Sequence, residues 1–194
     1  MSTIEEAVAA LQAGDPIVMP TDTVYGVAGS FRAPGGVAAV FTAKGRPTDR
    51  PLPVLGGDIA ALRDVAVFHT AAEALAARFW PGPLTLVLAR APGFDVDLGG
   101  GAKDSVAVRI PRHDTALELL HRTGPLAVSS ANRSDEAPAL TVQEAQTALG
   151  AVVDVYVDGG RLTGRPSTIV SLLGEVTLIR EGELAFVDVQ RVMS

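Results

Sequence analysis

The sequence predicts an α/β fold built on a twisted, mixed β-sheet flanked by helices. Three observations predict it. Short strand-like runs alternate with helical stretches through the first two thirds of the 194 residues. Strand-like runs then dominate the last third. The strict strand–helix–strand rhythm of a doubly wound sheet is missing, so a mixed sheet is expected rather than a parallel one.

In chain order, the first segment reads as a helix. Ser2 or Thr3 can cap it, Glu5 and Glu6 occupy the first turn, and Gly14 can end it. Residues 16–19 form a short apolar strand. Residues 35–43 form a second helix, stopped by Gly45 and Pro47, and 51–55 are extended. Asp58 caps a short helix, and Thr70 caps one that runs to about Phe79. LTLVLA over 84–89 and VAVRI over 106–110 are β-rich runs. A helix starts at Asp114 or Thr115 and ends before Gly124, and 126–128 are a buried strand. Thr141 and Glu144 suit a capping box for a helix ending at Gly150. Strands are expected at 152–157, 168–172 and 176–180, and a weak helix from Leu184. No repeat or linker interrupts this order, so residues 1–194 are expected to form a single domain.

Composition excludes several classes. No apolar run approaches the roughly 18 residues that a membrane helix needs. The first 11 residues carry two acids and no cationic side chain, unlike a signal peptide. Cysteine is absent, which removes disulfides, thiolate metal sites and a Cys nucleophile together. A cytoplasmic location is expected. With 16 basic and 22 acidic residues the net charge is −6, which argues against a general nucleic-acid binder. Yet Asp and Glu are absent from residues 23–48, 105–113, 119–134 and 159–174, and each block carries Arg or Lys. Folded together, these blocks would make a cationic cleft for an anion.

The motifs sharpen that expectation. PTDTVYG (20–26) follows a strand, where open α/β sheets bind ligands, and offers more hydroxyls than a turn requires. KGRP (44–47) ends a helix. Its Lys and Arg suit phosphate, and they equally suit the negative end of the helix dipole. SSAN (129–132), RPST (165–168) and REG (180–182) are each weak alone, being ordinary polar turns. A P-loop and a G-x-S-x-G elbow are absent, and the three histidines lack metal-ligand spacing. No metal site from the protein is expected, although Mg²⁺ can enter with a nucleotide.

Taken together, PTDTVYG, KGRP, FWPGPLTLVL (79–88), VAVRIP (106–111), SSAN, PSTIV (166–170) and LIREG (178–182) resemble the YrdC family of threonylcarbamoyl-AMP synthases. The likeness runs from about 4 to 182 and is closest to the short bacterial form. It implies a YrdC-like sheet with a ligand cleft on its concave, cationic face. It also implies a reaction: L-threonine, bicarbonate and ATP give threonylcarbamoyl-AMP and pyrophosphate. A separate threonylcarbamoyl transferase complex would then modify the adenosine just after the anticodon of tRNA, so contact with tRNA would be indirect or weak and no membrane is involved. The resemblance assigns Lys44 and Arg46 to catalysis and, with Thr48, Ser105, Ser130, Asn132 and Arg180, to ATP. It assigns Thr21, Arg109, Ser167 and the backbone of Val128 to threonine. Leu55 and Ala139 stand where many members carry His and Ser. Two other functions compete: an RNA-binding module, and a carbamoyl-transfer domain of the hydrogenase-maturation type.

Overall fold

The computed structural model describes residues 1–45, 49–101, 103–133 and 136–193. Helix α1 (Ile4–Ala13) begins where the sequence places it. The Thr3 hydroxyl accepts from the Glu6 amide and the Glu6 carboxylate accepts from the Thr3 amide, a reciprocal capping box. Gly14, at φ 92°, closes the helix in a conformation that suits glycine. Strands β1 (Ile17–Met19) and β2 (Gly26–Gly29) follow, then α2 (Gly36–Lys44), β3 (Val54–Leu55) and the short α3 (Ile59–Leu62). Asp58 caps α3 by accepting from the Ala61 amide. Next come α4 (Thr70–Phe79), β4 (Leu84–Ala89), β5 (Ser105–Arg109), α5 (Asp114–Thr123) and β6 (Leu126–Ser130). The chain continues through α6 (Val142–Leu149), β7 (Val155–Tyr156), β8 (Thr168–Ser171), β9 (Thr177–Arg180) and α7 (Phe186–Met193).

Four local expectations need correction. Strand β2 was not expected, because Gly-Val-Ala-Gly has little intrinsic strand preference. Its backbone is held on both sides, antiparallel to β1 and to β6. Strand β7 is only two residues long. The amides of Val152 and Val153 instead bond the Leu149 carbonyl and close the end of α6. His69 takes the N-cap position of α4 without a side-chain bond to the helix, and Thr70 is its first helical residue. At α6, Thr141 caps the Glu144 amide as expected, but the Glu144 carboxylate reaches the Leu140 amide rather than that of Thr141.

Among the described residues, nine strands form one mixed sheet in the order β7-β1-β2-β6-β3-β5-β4-β8-β9. Both faces are apolar, and the two-residue period assigns side chains to each. Val18, Val27, Val54, Ala127 and Leu86 join a large core that also holds residues of α2, α4 and α6. Their neighbours Ile17, Met19, Ala28, Leu55, Leu126 and Val128 join a second core with Ala7 and Leu11 of α1 and Leu119 and Leu120 of α5.

The second core covers only part of its face. Registers place Leu55 beside Arg109, Val87 beside Ala107 and Thr85 beside Ile169. These residues share the face of Val128 and Leu55, but they line a cavity of about 380 Å³. The site therefore lies where one face of the sheet runs on past the packing of α1 and α5.

Candidate active site

The floor of the cavity is Thr85 and Val87 of β4, Ala107 and Arg109 of β5, and Ile169 of β8. One wall is the loop between β1 and β2, with Thr21, Thr23 and Val24. Another is the end of β6, with Val128, Ser129 and Ser130. Pro166, Ser167, Ile179 and Arg180 close the far side. Gly26 makes the first wall possible, because a Cβ there would meet Val128 Cγ1 at 2.7 Å.

Thr21 turns its hydroxyl into its own loop. It donates to the Val24 carbonyl at 2.7 Å and accepts from the amides of Thr23 and Val24. A hydroxyl–hydroxyl bond of 3.0 Å joins it to Thr23. The loop is thus a self-bonded turn that also lines the cavity.

Arg109 is 5% exposed. Its Nε–H donates to the Gly82 carbonyl at 2.9 Å, Nη1 to Thr23 Oγ1 at 3.2 Å and Nη2 to Asp22 Oδ1 at 2.5 Å. Burial pulls its pKa below the ordinary arginine value, and the Asp22 carboxylate opposes that fall. The guanidinium remains a cation at neutral pH. In sequence Asp22 reads only as a residue of the 20–26 turn. An acid between two hydroxyls in a strand-end loop was the signal available.

Ser167, just before β8, shares a 2.8 Å hydrogen bond with Thr85 of β4. Arg180 donates to the Ser167 carbonyl at 2.9 Å. Ser105 does not line the cavity. It shares the face of Ala107 and Arg109 but lies one step beyond the cavity floor.

Lys44 and the SSAN segment come together, although Lys44 does not line the cavity. At the end of α2 its ammonium donates to the Ser130 carbonyl at 2.5 Å and to the Asn132 carbonyl at 2.9 Å. Side-chain oxygens of Ser130 (3.3 Å) and Asn132 (3.1 Å) also accept from it. Asn132 in turn donates from its amide to the carbonyls of Arg133 and Glu136. Lys44 and Asn132 thus stand behind Ser130. Arg46 and Thr48 lie outside the described residues.

Among the described residues, which leave out Arg46, the expected cationic cleft is not shown. Among the described residues, Arg109 and Arg180 are the cations lining the cavity, and Asp22 neutralises the first. Three other cations of the acid-free blocks bond elsewhere. Arg122 pairs with Glu5 at 2.7 Å, Arg112 donates to the Pro81 carbonyl, and Arg133 donates to the Ala148 carbonyl. Leu55 lines the cavity with an apolar side chain. Ala139 does not reach it, and its carbonyl accepts from the Tyr25 amide instead.

Residues 9–182 match the model of the Sua5/YciO/YrdC family, described as telomere recombination. The chain belongs to the Sua5/YciO/YrdC family. Within it, a Mycobacterium leprae protein named putative threonylcarbamoyl-AMP synthase is 40% identical over 193 residues, covering 98% of this chain and 87% of that one. The crystal structure of Pyrococcus abyssi Sua5 complexed with L-threonine is 34% identical, with a TM-score of 0.93 over 98% of this chain. This chain spans 57% of that Sua5 chain. Escherichia coli YciO, at 22% identity and a TM-score of 0.85, shares the fold. The cavity described above is thus set in the sheet of a Sua5/YciO/YrdC domain.

Proposed function

We propose that this chain is a threonylcarbamoyl-AMP synthase, joining L-threonine, bicarbonate and ATP and releasing pyrophosphate. The observation that carries this reading is the meeting of Thr21, Arg109, Ser130, Ser167 and Arg180, from separate stretches of chain, at one cavity. The name of the Mycobacterium leprae relative and the threonine held by Pyrococcus abyssi Sua5 support it.

The chemistry suits the groups present. The amine of threonine attacks the carbon of bicarbonate, a C–N bond forms, and a carbamate results as water leaves. A carbamate oxygen attacks the α-phosphorus of ATP, a new P–O bond forms, and the bond to the β-phosphate bridging oxygen breaks with departure of pyrophosphate. The task is to hold two anions together and to stabilise charge in the transition state. No side-chain nucleophile is required. Arg109 pairs with the threonine carboxylate through its two remaining N–H groups, and Thr21 and Ser167 orient the polar groups of threonine. Val128 contributes backbone, and its apolar neighbours receive the methyl. Ser130, Arg180 and Ser105 contact the nucleotide. Lys44 and Asn132 shape the Ser130 turn that faces it, and Arg46 and Thr48 complete the phosphate contacts.

No carboxylate lines the cavity among the described residues, so the donors there do not compose a Mg²⁺ site. A Mg²⁺ ion would ride on the phosphates of ATP. The adenylate is a reactive mixed anhydride, which calls for a transferase that hands its acyl group to a tRNA amine. We place this chemistry in the cytoplasm, beside ATP and tRNA. No helix of the described chain is long and apolar enough to cross a membrane. An RNA-binding role is disfavoured by the net charge of −6.

Pyrophosphate release from ATP and bicarbonate tests the reading. It should require L-threonine and fall strongly with L-serine. Release that ignores the amino acid would overturn it.

A further inference from the structure

The loop that presents Thr21 and Thr23 also carries Asp22, whose carboxylate has no part in the chemistry above. Its Oδ1 accepts from Arg109 Nη2 at 2.5 Å, and the two side chains are 12% and 6% exposed. Thr21, Thr23 and Arg109 line the cavity, and Asp22 does not. The carboxylate therefore grips the guanidinium from within the wall, leaving the cavity side to a ligand. Arg109 has five N–H groups and spends three of them on Gly82, Thr23 and Asp22. Two remain, the number a carboxylate can take.

The grip is itself anchored. The Asp22 carbonyl accepts from Thr163 Oγ1 at 3.2 Å, the Thr23 carbonyl accepts from the Gly164 amide at 3.0 Å, and Thr163 also meets Glu183 at 3.3 Å. Glu183 and Arg180 are the other charged groups whose fields act on Arg109. A buried guanidinium without a close counter-charge is costly and tends to swing toward solvent. Thr23 and Gly82 supply geometry but no charge.

We infer that Asp22 is a positioning residue for the amino-acid substrate: it acts through Arg109, holding that cation in the cavity wall with its two unspent N–H groups aimed at the substrate carboxylate. This rests on the threonine role proposed for Arg109. It predicts that Asp22 governs threonine affinity and leaves ATP affinity alone.

Calorimetric binding of L-threonine and of ATP tests it, with wild-type protein, Asp22→Asn and Asp22→Ala. Loss of a charge-assisted, buried hydrogen bond should weaken threonine about tenfold or more in the Ala variant and about fivefold in the Asn variant, which keeps an acceptor. ATP affinity should stay within about twofold. In an Arg109→Lys background, Asp22→Asn should add less than about twofold, because the effect runs through the guanidinium. If Asp22→Ala does not fold, Asp22→Asn carries the test alone. A folded Asp22→Asn protein with unchanged threonine affinity, or with equal losses for ATP and threonine, overturns the inference and leaves the proposed function standing. Wild-type protein that binds no threonine overturns both.

Discussion

Lys44 donates to both the backbone carbonyl of Asn132, at 2.9 Å, and its side-chain Oδ1, at 3.1 Å. These residues are 88 apart in sequence, and each contact is buried. The last residue of α2 is thereby bolted to the turn that leaves β6. An ammonium placed among carbonyls repays its burial only while those partners remain.

Lys44→Ala should therefore cost stability as well as activity. The buried carbonyls of Ser130 and Asn132 lose a charged donor, worth about 2–4 kcal/mol in unfolding free energy. Asn132→Ala should cost about the same, and the double variant should cost clearly less than the sum. Urea unfolding of the three variants measures this. Strict additivity would show that the two residues do not act together.

The cavity is the exposed remainder of a sheet face, so filling it should harm function and spare the fold. Ala107→Leu puts a larger side chain on the floor between Val87 and Arg109. Threonine-dependent turnover should fall by more than about a hundredfold, with Tm within about 3 °C of wild type. Normal turnover in this variant would place the chemistry elsewhere.

Arg109→Ala removes the cation and strands Asp22 in the wall. It should weaken threonine far more than ATP and lower stability by about 3–5 kcal/mol. Arg109→Lys keeps the charge but not the planar fork, and should recover stability better than threonine affinity. Chemical denaturation and steady-state kinetics separate the two effects. A fall confined to ATP affinity would contradict the proposed division of labour.

Tyr25 donates to Asp158 and to the Gly160 carbonyl and accepts from the Gly159 amide. Burial pushes its pKa up to about 12, and the Asp158 carboxylate adds to the rise. The unfolded chain ionises near the ordinary tyrosine value of about 10, so it releases its proton first. The stability contributed is therefore whole below pH 10 and lost as pH rises toward about 12. Tyr25→Phe should flatten this alkaline slope in urea unfolding at pH 9 to 11.5. Burial also raises Tyr156, which should leave a residual slope of the same sign. An unchanged slope in Tyr25→Phe would contradict the assignment.

Much of the fold was legible because its signals are local. The Thr3–Glu6 box, Gly14, Asp58 as a cap and the β-rich run of β4 need only near neighbours in sequence. Strand β2 was not legible, since Gly-Val-Ala-Gly becomes a strand through β1 and β6 on either side. At the site, the motifs marked the right stretches but not the partners of each side chain. Charge counting along the chain suggests a cationic cleft. It could not foresee that, among the described residues, Asp22 meets Arg109 and Glu5 meets Arg122 over long separations. In sequence Lys44 suits a phosphate and a helix end equally, and its contacts with Ser130 and Asn132 exist only once α2 packs beside β6.

The most direct test of the account is the product itself. Wild-type protein incubated with ATP, L-threonine and isotopically labelled bicarbonate should yield threonylcarbamoyl-AMP carrying the label, detected by mass spectrometry, with one pyrophosphate for each adenylate. Ala107→Leu should yield almost none. Formation of AMP without a labelled threonine adduct, or an adduct made equally well by the Ala107→Leu protein, would contradict the claim that this cavity joins threonine to ATP.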